Sequence, residues 1–239
     1  MTQEIIDYVA LKKRGFLRQR QEGFFVLRTR QSCGVYSKEQ LEKLAEIASR
    51  YAKGFLHLTV RQGIEIPFIK YEDIPSIEKE LGISGILTGT SGARLRATTC
   101  CPGNNWCRQG LVDTFSLANR IENELQIRCG LNLPHKFKIA ISGCPNACMR
   151  AQSSEIGIHG QAYPQGSALQ FGYVVYLGGC AGKNPRLGFK LDKIFSEEEV
   201  LSLVGRVVKF YKKQALPKQR LGAFIEQFGK ESFLKEASL

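Results

Sequence analysis

Gly23-Phe-Phe-Val-Leu-Arg-Thr-Arg30 reads as a β-strand, because it is rich in aromatic and branched residues and its apolar and charged positions alternate. Arg28 and Arg30 are two apart and share one face of that strand, while Leu27 points to the other. Working outward, Ser37 caps a predicted helix from Lys38 to about Lys53 with apolar Leu41, Leu44, Ala45 and Ile47. Phe55 to Val60 and Ile64 to Ile69 are two further predicted strands, joined by a turn at Gln62 and Gly63, and Glu72 to Leu81 is a second helix. The order βαββα predicts an α+β fold of the ferredoxin-like kind, with helices on one face of a sheet.

A Gly- and Ser-rich boundary at Gly82 to Gly92 separates this module, residues 1–85, from a second one, residues 86–239, of α/β character. The second is organised around cysteines. A strand at Arg94 to Thr99 leads into Cys101-Pro-Gly-Asn-Asn-Trp-Cys107, a helix runs from about Gln109 to Gln126, and a strand at Phe137 to Ser142 leads into Cys144-Pro-Asn-Ala-Cys148. Strands near Glu155 to His159 and Leu169 to Leu177 follow, then the turn Gly178-Gly179-Cys180-Ala181-Gly182, and helices from about Ser196 to Lys213 and Lys218 to Phe228.

Two short thiolate loops separated by a 36-residue spacer can grip one compact metal centre from both sides. Soft thiolates select zinc, copper(I) or iron–sulfur centres, and four cysteines are what a [4Fe–4S] cube requires. Zinc is the first rival, but structural zinc loops typically space paired ligands by two to four residues. The five-residue gap between Cys101 and Cys107 makes a wider loop, suited to a larger object. Pro102, Gly103, Gly143 and Pro145 force turns that aim sulfur and backbone N–H groups at a common point. Of the other cysteines, Cys33, Cys129 and Cys180 read as packing residues, and Cys100 creates a register ambiguity beside Cys101.

Eight cysteines in 239 residues are too few for a disulfide scaffold, and Met1 to Arg20 mixes charged with apolar residues instead of carrying an apolar signal segment, so a reducing cytoplasm is the expectation. No apolar run approaches the roughly 18–20 residues of a membrane span. The net charge of +12 implies an acidic partner: nucleic acid, an anionic protein, or an anionic cofactor and substrate held internally. The cations are paired at Arg28/Arg30, Arg94/Arg96 and Lys136/Lys138, with Leu27, Leu95, Phe137 and Ile139 free to face the other way. For one pair alone a solvated strand face is the better reading. The last two pairs, however, lie a few residues upstream of the cysteine loops, and cations beside a redox centre imply an anion there. A nucleic-acid module would be expected to interleave exposed aromatics with its cations, which this chain does not do.

These motifs resemble those of the siroheme-dependent sulfite and nitrite reductases, whose hallmark is a C-x5-C loop, a spacer and a C-x3-C loop. Leu58-Thr-Val-Arg-Gln62 is similar to the family's Leu-Thr-x-Arg-Gln strand, Ser142-Gly-Cys-Pro-Asn-Ala-Cys148 to its second cluster loop, and Leu177-Gly-Gly-Cys-Ala-Gly-Lys-Asn-Pro-Arg-Leu-Gly188 to its Gly-rich segment. The resemblance implies a ferredoxin-like half-domain followed by a siroheme and [4Fe–4S] domain, as in the small, single-module, assimilatory-type sulfite reductases. It resolves the register in favour of Cys101, so that Cys101, Cys107, Cys144 and Cys148 hold the cluster and the Cys148 sulfur also bridges to siroheme iron. It assigns Arg28, Arg96, Lys136 and Lys138 to a substrate cage, and Arg61, Lys183 and Arg186 to positions near the carboxylates of siroheme. His57 is grouped with these because some members carry Arg there; His135 likewise stands where Arg can occur.

The implied reaction is six-electron reduction of sulfite to sulfide, with nitrite to ammonia as the alternative. A second class of function is a non-catalytic iron–sulfur electron-transfer or assembly subunit, against which the four cage cations argue. The implied electron donor is an external protein such as an acidic ferredoxin, since the chain has no C-x2-C-x2-C run of its own. Longer family members carry two copies of both modules, so the single copy here implies either a homodimer or a pared-down monomer.

Overall fold

The computed structural model describes residues 6–89, 91–125 and 131–239, in two compact units, Met1–Gly92 and Ala93–Leu239. Cys129 and the expected helix end at Gln126 lie outside the described residues.

In the first unit the strands are β1 (Phe16–Arg18), β2 (Phe24–Arg30), β3 (His57–Leu58), β4 (Ile64–Lys70) and β5 (Leu87–Thr88), and the helices are α1 (Tyr8–Lys13), α2 (Lys38–Tyr51) and α3 (Ile74–Ile83). All pairings are antiparallel, in the order β1-β2-β4-β3 with β5 added to the end of β2. The β5 pairing carries this unit past residue 85, into the Gly- and Ser-rich stretch. Ser37 and Gln40 form a reciprocal capping box that starts α2, and such a cap contributes about 1 kcal/mol. Leu44 and Ile47 of α2 and Ile74, Ile77 and Leu81 of α3 bury against Phe25, Leu27, Ile64, Ile66 and Ile69 of the sheet. The α+β character and the βαββα core match the expectation. The strand expected over 55–60 shrinks to His57–Leu58, because Thr59 and Gly63 close a tight turn in which Gln62 has φ +63°. The helix expected from Glu72 begins at Ile74, after a short 3-10 turn at Tyr71–Asp73.

One irregularity in this sheet matters for the site. Phe25 pairs with Ile69 and Leu27 with Ile66, so Pro67 and Phe68 together face Val26, a β-bulge. Pro67 has no N–H to lose there, and the Phe68 N–H goes to the Gln19 side chain at 2.8 Å. Below the bulge, the register sets Arg28 opposite Glu65.

The second unit contains β6 (Thr99–Cys100), α4 (Thr114–Glu124), β7 (Ile139–Ser142), β8 (Ile156–Gln165), β9 (Ala168–Leu177), β10 (Phe189–Lys190), α5 (Glu197–Gln214), α6 (Leu221–Phe228) and α7 (Lys230–Glu236). Its sheet runs β10-β9-β8-β7-β6, with β6, β7 and β8 parallel and the rest antiparallel. Parallel neighbours need a crossover, and α4 supplies the one between β6 and β7. Phe137, Ile139, Ile141, Ile156, Ile158, Val204, Val207, Tyr211 and Phe233 form its core.

Three expectations change here. The strand expected over 94–99 is regular only at Thr99–Cys100, although Leu95 forms an isolated parallel bridge to Phe137. The helix expected from Gln109 begins at Thr114, capped by Asp113, whose carboxylate accepts N–H groups of Phe115 and Ser116. Burial opposes ionisation of Asp113, but those N–H groups and the Asn105 amide outweigh it and hold the carboxyl below its usual range. The last expected helix begins at Leu221, because Lys218 lies in the left-handed region at φ +68°.

Candidate metal centre

Because β6 and β7 are parallel and in register, Thr99 against Ala140 and Cys100 against Ile141, both cysteine loops leave the same end of the sheet. Cys100 is buried in the strand. Cys101 continues the ladder, its N–H on the Ile141 carbonyl at 3.1 Å, and its Sγ accepts the Gly143 N–H at 3.1 Å. The loops are joined through backbone as well: Leu111 N–H reaches the Gly143 carbonyl at 2.8 Å, and a Cβ on Gly143 would stand 2.5 Å from Gly103 Cα. No side chain fits at that crossing. It also explains the late helix start, since Gly110 is pressed against Gly103 and cannot join a helix there.

Within the first loop, Cys107 N–H closes on the Gly103 carbonyl at 3.1 Å. In the second, Arg150 N–H closes on Ala147 at 2.7 Å, Met149 N–H reaches Ser142 Oγ at 3.1 Å, and Ala147 and Arg150 both take left-handed φ values, +48° and +57°. Cys144 is buried, Cys101 half-buried, and Cys107 and Cys148 exposed, all four as free thiols. Among the described residues no three His, Cys, Asp or Glu side chains converge as the ligands of a single metal ion. The donor set fits a [4Fe–4S] cluster in other respects: four soft sulfurs on two loops fixed to each other, one already receiving a backbone N–H, as cluster thiolates do. Those four cysteines would hold it.

The expected cage cations of this unit, Arg96, Lys136 and Lys138, lie on the segments leading into the loops. Arg96 N–H donates to the Phe137 carbonyl at 2.9 Å and Phe137 N–H to the Arg94 carbonyl at 3.0 Å, so the segments 94–96 and 136–138 run side by side. Leu95 and Phe137 are fully buried, while Arg96, Lys136 and Lys138 are half-buried. His135 lies among them: burial, then the charges of Arg220, Lys136 and Arg96, hold its pKa below the usual imidazole value. Its Nδ1 accepts the Lys136 N–H at 2.8 Å, which requires that nitrogen to be unprotonated.

Lys183 is exposed at the tip of the Gly-rich segment, which is pinned at its base by paired backbone bonds between Cys180 and Arg186, 2.9 Å each. Cys180 is buried with its thiol on the Asn184 carbonyl at 3.2 Å, and Arg186 is ion-paired with Glu226 of α6 at 3.0 Å.

Arg28, His57 and Arg61 belong to the first unit. Sequence reasoning missed the residue that connects two of them. Glu65 accepts from Arg28 Nε at 2.7 Å on one oxygen and contacts His57 Nδ1 at 3.0 Å on the other. Burial pushes the Glu65 carboxyl up, but Arg28 and His57 together outweigh it and bring it below the usual carboxylate range. Arg61 is half-buried, and Arg30, one of the expected exposed pair, is buried. The only signal for Glu65 was its place between Ile64 and Ile66, which by alternation reads as an ordinary outward residue.

The histidines make acid sensitivity predictable. His159 is buried against Tyr176 and, like His135, has its pKa lowered chiefly by burial. A depressed folded-state pKa means the unfolded chain binds protons first, so this part of the stability is fully present above about pH 6.5 and is lost as pH falls through the folded values. Urea midpoints should therefore fall between pH 7 and pH 5, and His159→Phe should flatten that slope. A midpoint independent of pH in this range would contradict the assignment.

Among the described residues no helix is long and apolar enough to cross a membrane. Residues 17–82 match the family described as the nitrite/sulfite reductase ferredoxin-like half domain, and residues 91–239 match the nitrite and sulphite reductase 4Fe-4S domain. Among curated proteins, the chain is 31% identical to a coenzyme F420-dependent sulfite reductase of Methanocaldococcus jannaschii, over 98% of this chain and 45% of that protein. It is 30% identical to a nitrite reductase [NAD(P)H] of Bacillus subtilis, over 87% and 24%, and 25% identical to an assimilatory-type sulfite reductase of Nitratidesulfovibrio vulgaris, over 92% and 94%. The chain thus spans less than half the length of the first two of these relatives. The structure of the Mycobacterium tuberculosis NirA protein shares the fold, with a TM-score of 0.83 at 20% identity over 98% of this chain and 47% of that one. With both units matched, the chain belongs to the nitrite and sulphite reductase family, whose cofactors are a [4Fe–4S] cluster and siroheme.

Proposed function

We propose that this chain reduces sulfite to sulfide with a [4Fe–4S] cluster, which Cys101, Cys107, Cys144 and Cys148 would hold, and a siroheme, for which Cys148 would also serve as a ligand. The observation that carries the reading is the arrangement of the second unit: two cysteine loops at one end of a parallel strand pair, entered by segments that bear Arg96, Lys136 and Lys138. When bound, the two groups supply electrons and the iron that binds the substrate's central atom. The chain's own residues do the rest. Arg96, permanently charged, binds the oxyanion and offsets its charge. Lys136 Nζ and Lys138 Nζ donate protons to the departing oxygens, each of which leaves as water after two protons and two electrons arrive. Three such losses account for the six electrons. Lys183 and Arg186 act on the siroheme carboxylates.

The relatives from Methanocaldococcus and Nitratidesulfovibrio support sulfite, and the Bacillus relative supports nitrite reduction to ammonia as the second reading. Purified, cofactor-loaded protein with a chemical reductant decides between them: sulfide should form with sulfite at a higher kcat/KM than ammonia with nitrite, and the reverse order would make nitrite the substrate. For the electron donor we take a small acidic carrier such as a ferredoxin, in keeping with the charge of +12. Its kcat/KM should fall as salt rises from 20 to 300 mM while turnover with the uncharged limit of a chemical reductant stays level.

A further inference from the structure

We propose that the buried ion pair Glu155–Arg220 is a positioning device for Lys138, fixing the backbone from which that proton donor projects; the proposal rests on the reductase reading above. Glu155 is fully buried and stands just before β8. Its Oε2 accepts the Lys138 backbone N–H at 3.0 Å, and the Lys138 carbonyl is taken by the Ile156 N–H at 3.2 Å. Both backbone groups of Lys138 are therefore held by two consecutive residues, one of them through a carboxylate in place of a strand carbonyl. The other oxygen, Oε1, receives Arg220 Nε at 3.0 Å and is also ion-paired with Nη2. A second tie runs through the backbone, where the Glu155 carbonyl accepts the Gly178 N–H at 2.9 Å at the start of the Gly-rich segment.

A buried carboxylate is costly to keep unless a cation and further hydrogen bonds compensate it, and an apolar pair would serve stability as well. What an apolar pair cannot do is accept the Lys138 N–H and anchor it to a rigid, planar partner. Arg220 suits that purpose because its guanidinium presents a fixed fork, and because it stands immediately before α6, the helix whose Glu226 holds Arg186. One residue thus references the Lys136–Lys138 segment and α6 to each other through its carboxylate, and the Gly-rich segment through its backbone carbonyl. Displacing a catalytic group by about 1 Å can cost on the order of 100-fold in rate.

The test uses three variants of the cofactor-loaded protein, Glu155→Gln, Arg220→Lys and Arg220→Gln. Glu155→Gln keeps an acceptor for the Lys138 N–H but loses the charge; Arg220→Lys keeps both charges, so it should fold, but loses the fork. In Arg220→Lys, turnover per bound siroheme should drop about 10-fold with the KM for the oxyanion unchanged, and amide exchange in the peptide covering 136–142 should accelerate at least 10-fold. Glu155→Gln should drop further in both, and Arg220→Gln should be worse than Arg220→Lys. A merely structural role predicts something else: less folded or loaded protein, with normal turnover per siroheme. Turnover within twofold of wild type, or unchanged exchange at 136–142, overturns the proposal while leaving the reductase reading intact. Loaded wild-type protein that reduces neither sulfite nor nitrite overturns that reading, and the proposal with it.

Discussion

Cys148→Ser should yield protein that has lost most of both its iron–sulfur and its tetrapyrrole absorption, whereas Cys180→Ala should keep both. The contrast follows from where the two thiols sit. Cys148 is exposed on a loop wound tight by left-handed Ala147 and Arg150, in position to bind a group outside the protein fabric. Cys180 is buried with its thiol committed to the Asn184 carbonyl. Serine at 148 would replace a soft ligand by a hard one that stays protonated near neutral pH, and on the proposed reading, in which both centres share that sulfur, its loss would take both. Anaerobic purification, an absorption spectrum and iron analysis per chain give the answer. Full tetrapyrrole retention beside an intact cluster would refute the shared sulfur, and zinc in place of iron in the wild type would refute the cluster.

The second large effect is expected at the lysines. Lys136→Met or Lys138→Met keeps much of the side-chain length and removes a charge and a proton donor. Loss of one charge-assisted contact in a dry site costs about 2–4 kcal/mol, or roughly 30- to 1000-fold in turnover. Cofactor content should hardly change, because neither residue is among the sulfur ligands. Arg96→Met should behave differently, raising the KM for the oxyanion as well as slowing the reaction, since a guanidinium acts by binding and does not give up its proton. Steady-state rates per siroheme with sulfite and with nitrite separate the two patterns. Wild-type turnover in all three variants would reduce these cations to a solvated face and favour a non-catalytic electron-transfer subunit.

The parts of this molecule legible in its sequence are those whose signals are local. The strand 24–30, the capped helix from Lys38 and the paired cysteine loops each carry their own pattern within a dozen residues. Helix α1 and strand β1, of six and three residues, are too short to show any period, and they went unread. The start of α4 was misplaced although Asp113-Thr114-Phe115-Ser116 is a good cap, because the apolar pattern extends back through Leu111 and Val112. What overrides it is the contact of Gly110 with Gly103, which no local pattern encodes. Glu65 and the Glu155–Arg220 pair were missed for a related reason: the two glutamates are single charged residues in a strand or just before one, Arg220 stands just before a helix, and their meaning comes only from what a distant segment brings opposite.

The bulge at Pro67 and Phe68 gives this sheet a change of phase. Ile64 and Ile66 bury on even numbers, Ile69 on an odd one, and the extra residue between them absorbs the shift. With one residue deleted there, the pairs Phe25–Ile69, Leu27–Ile66 and Arg28–Glu65 would all fall into one regular ladder, with Ile69 still in the core and Glu65 still beside Arg28. The extra residue is therefore not what keeps the two halves of the strand in phase; what it adds is a local bend and a stronger twist, which a deletion would flatten.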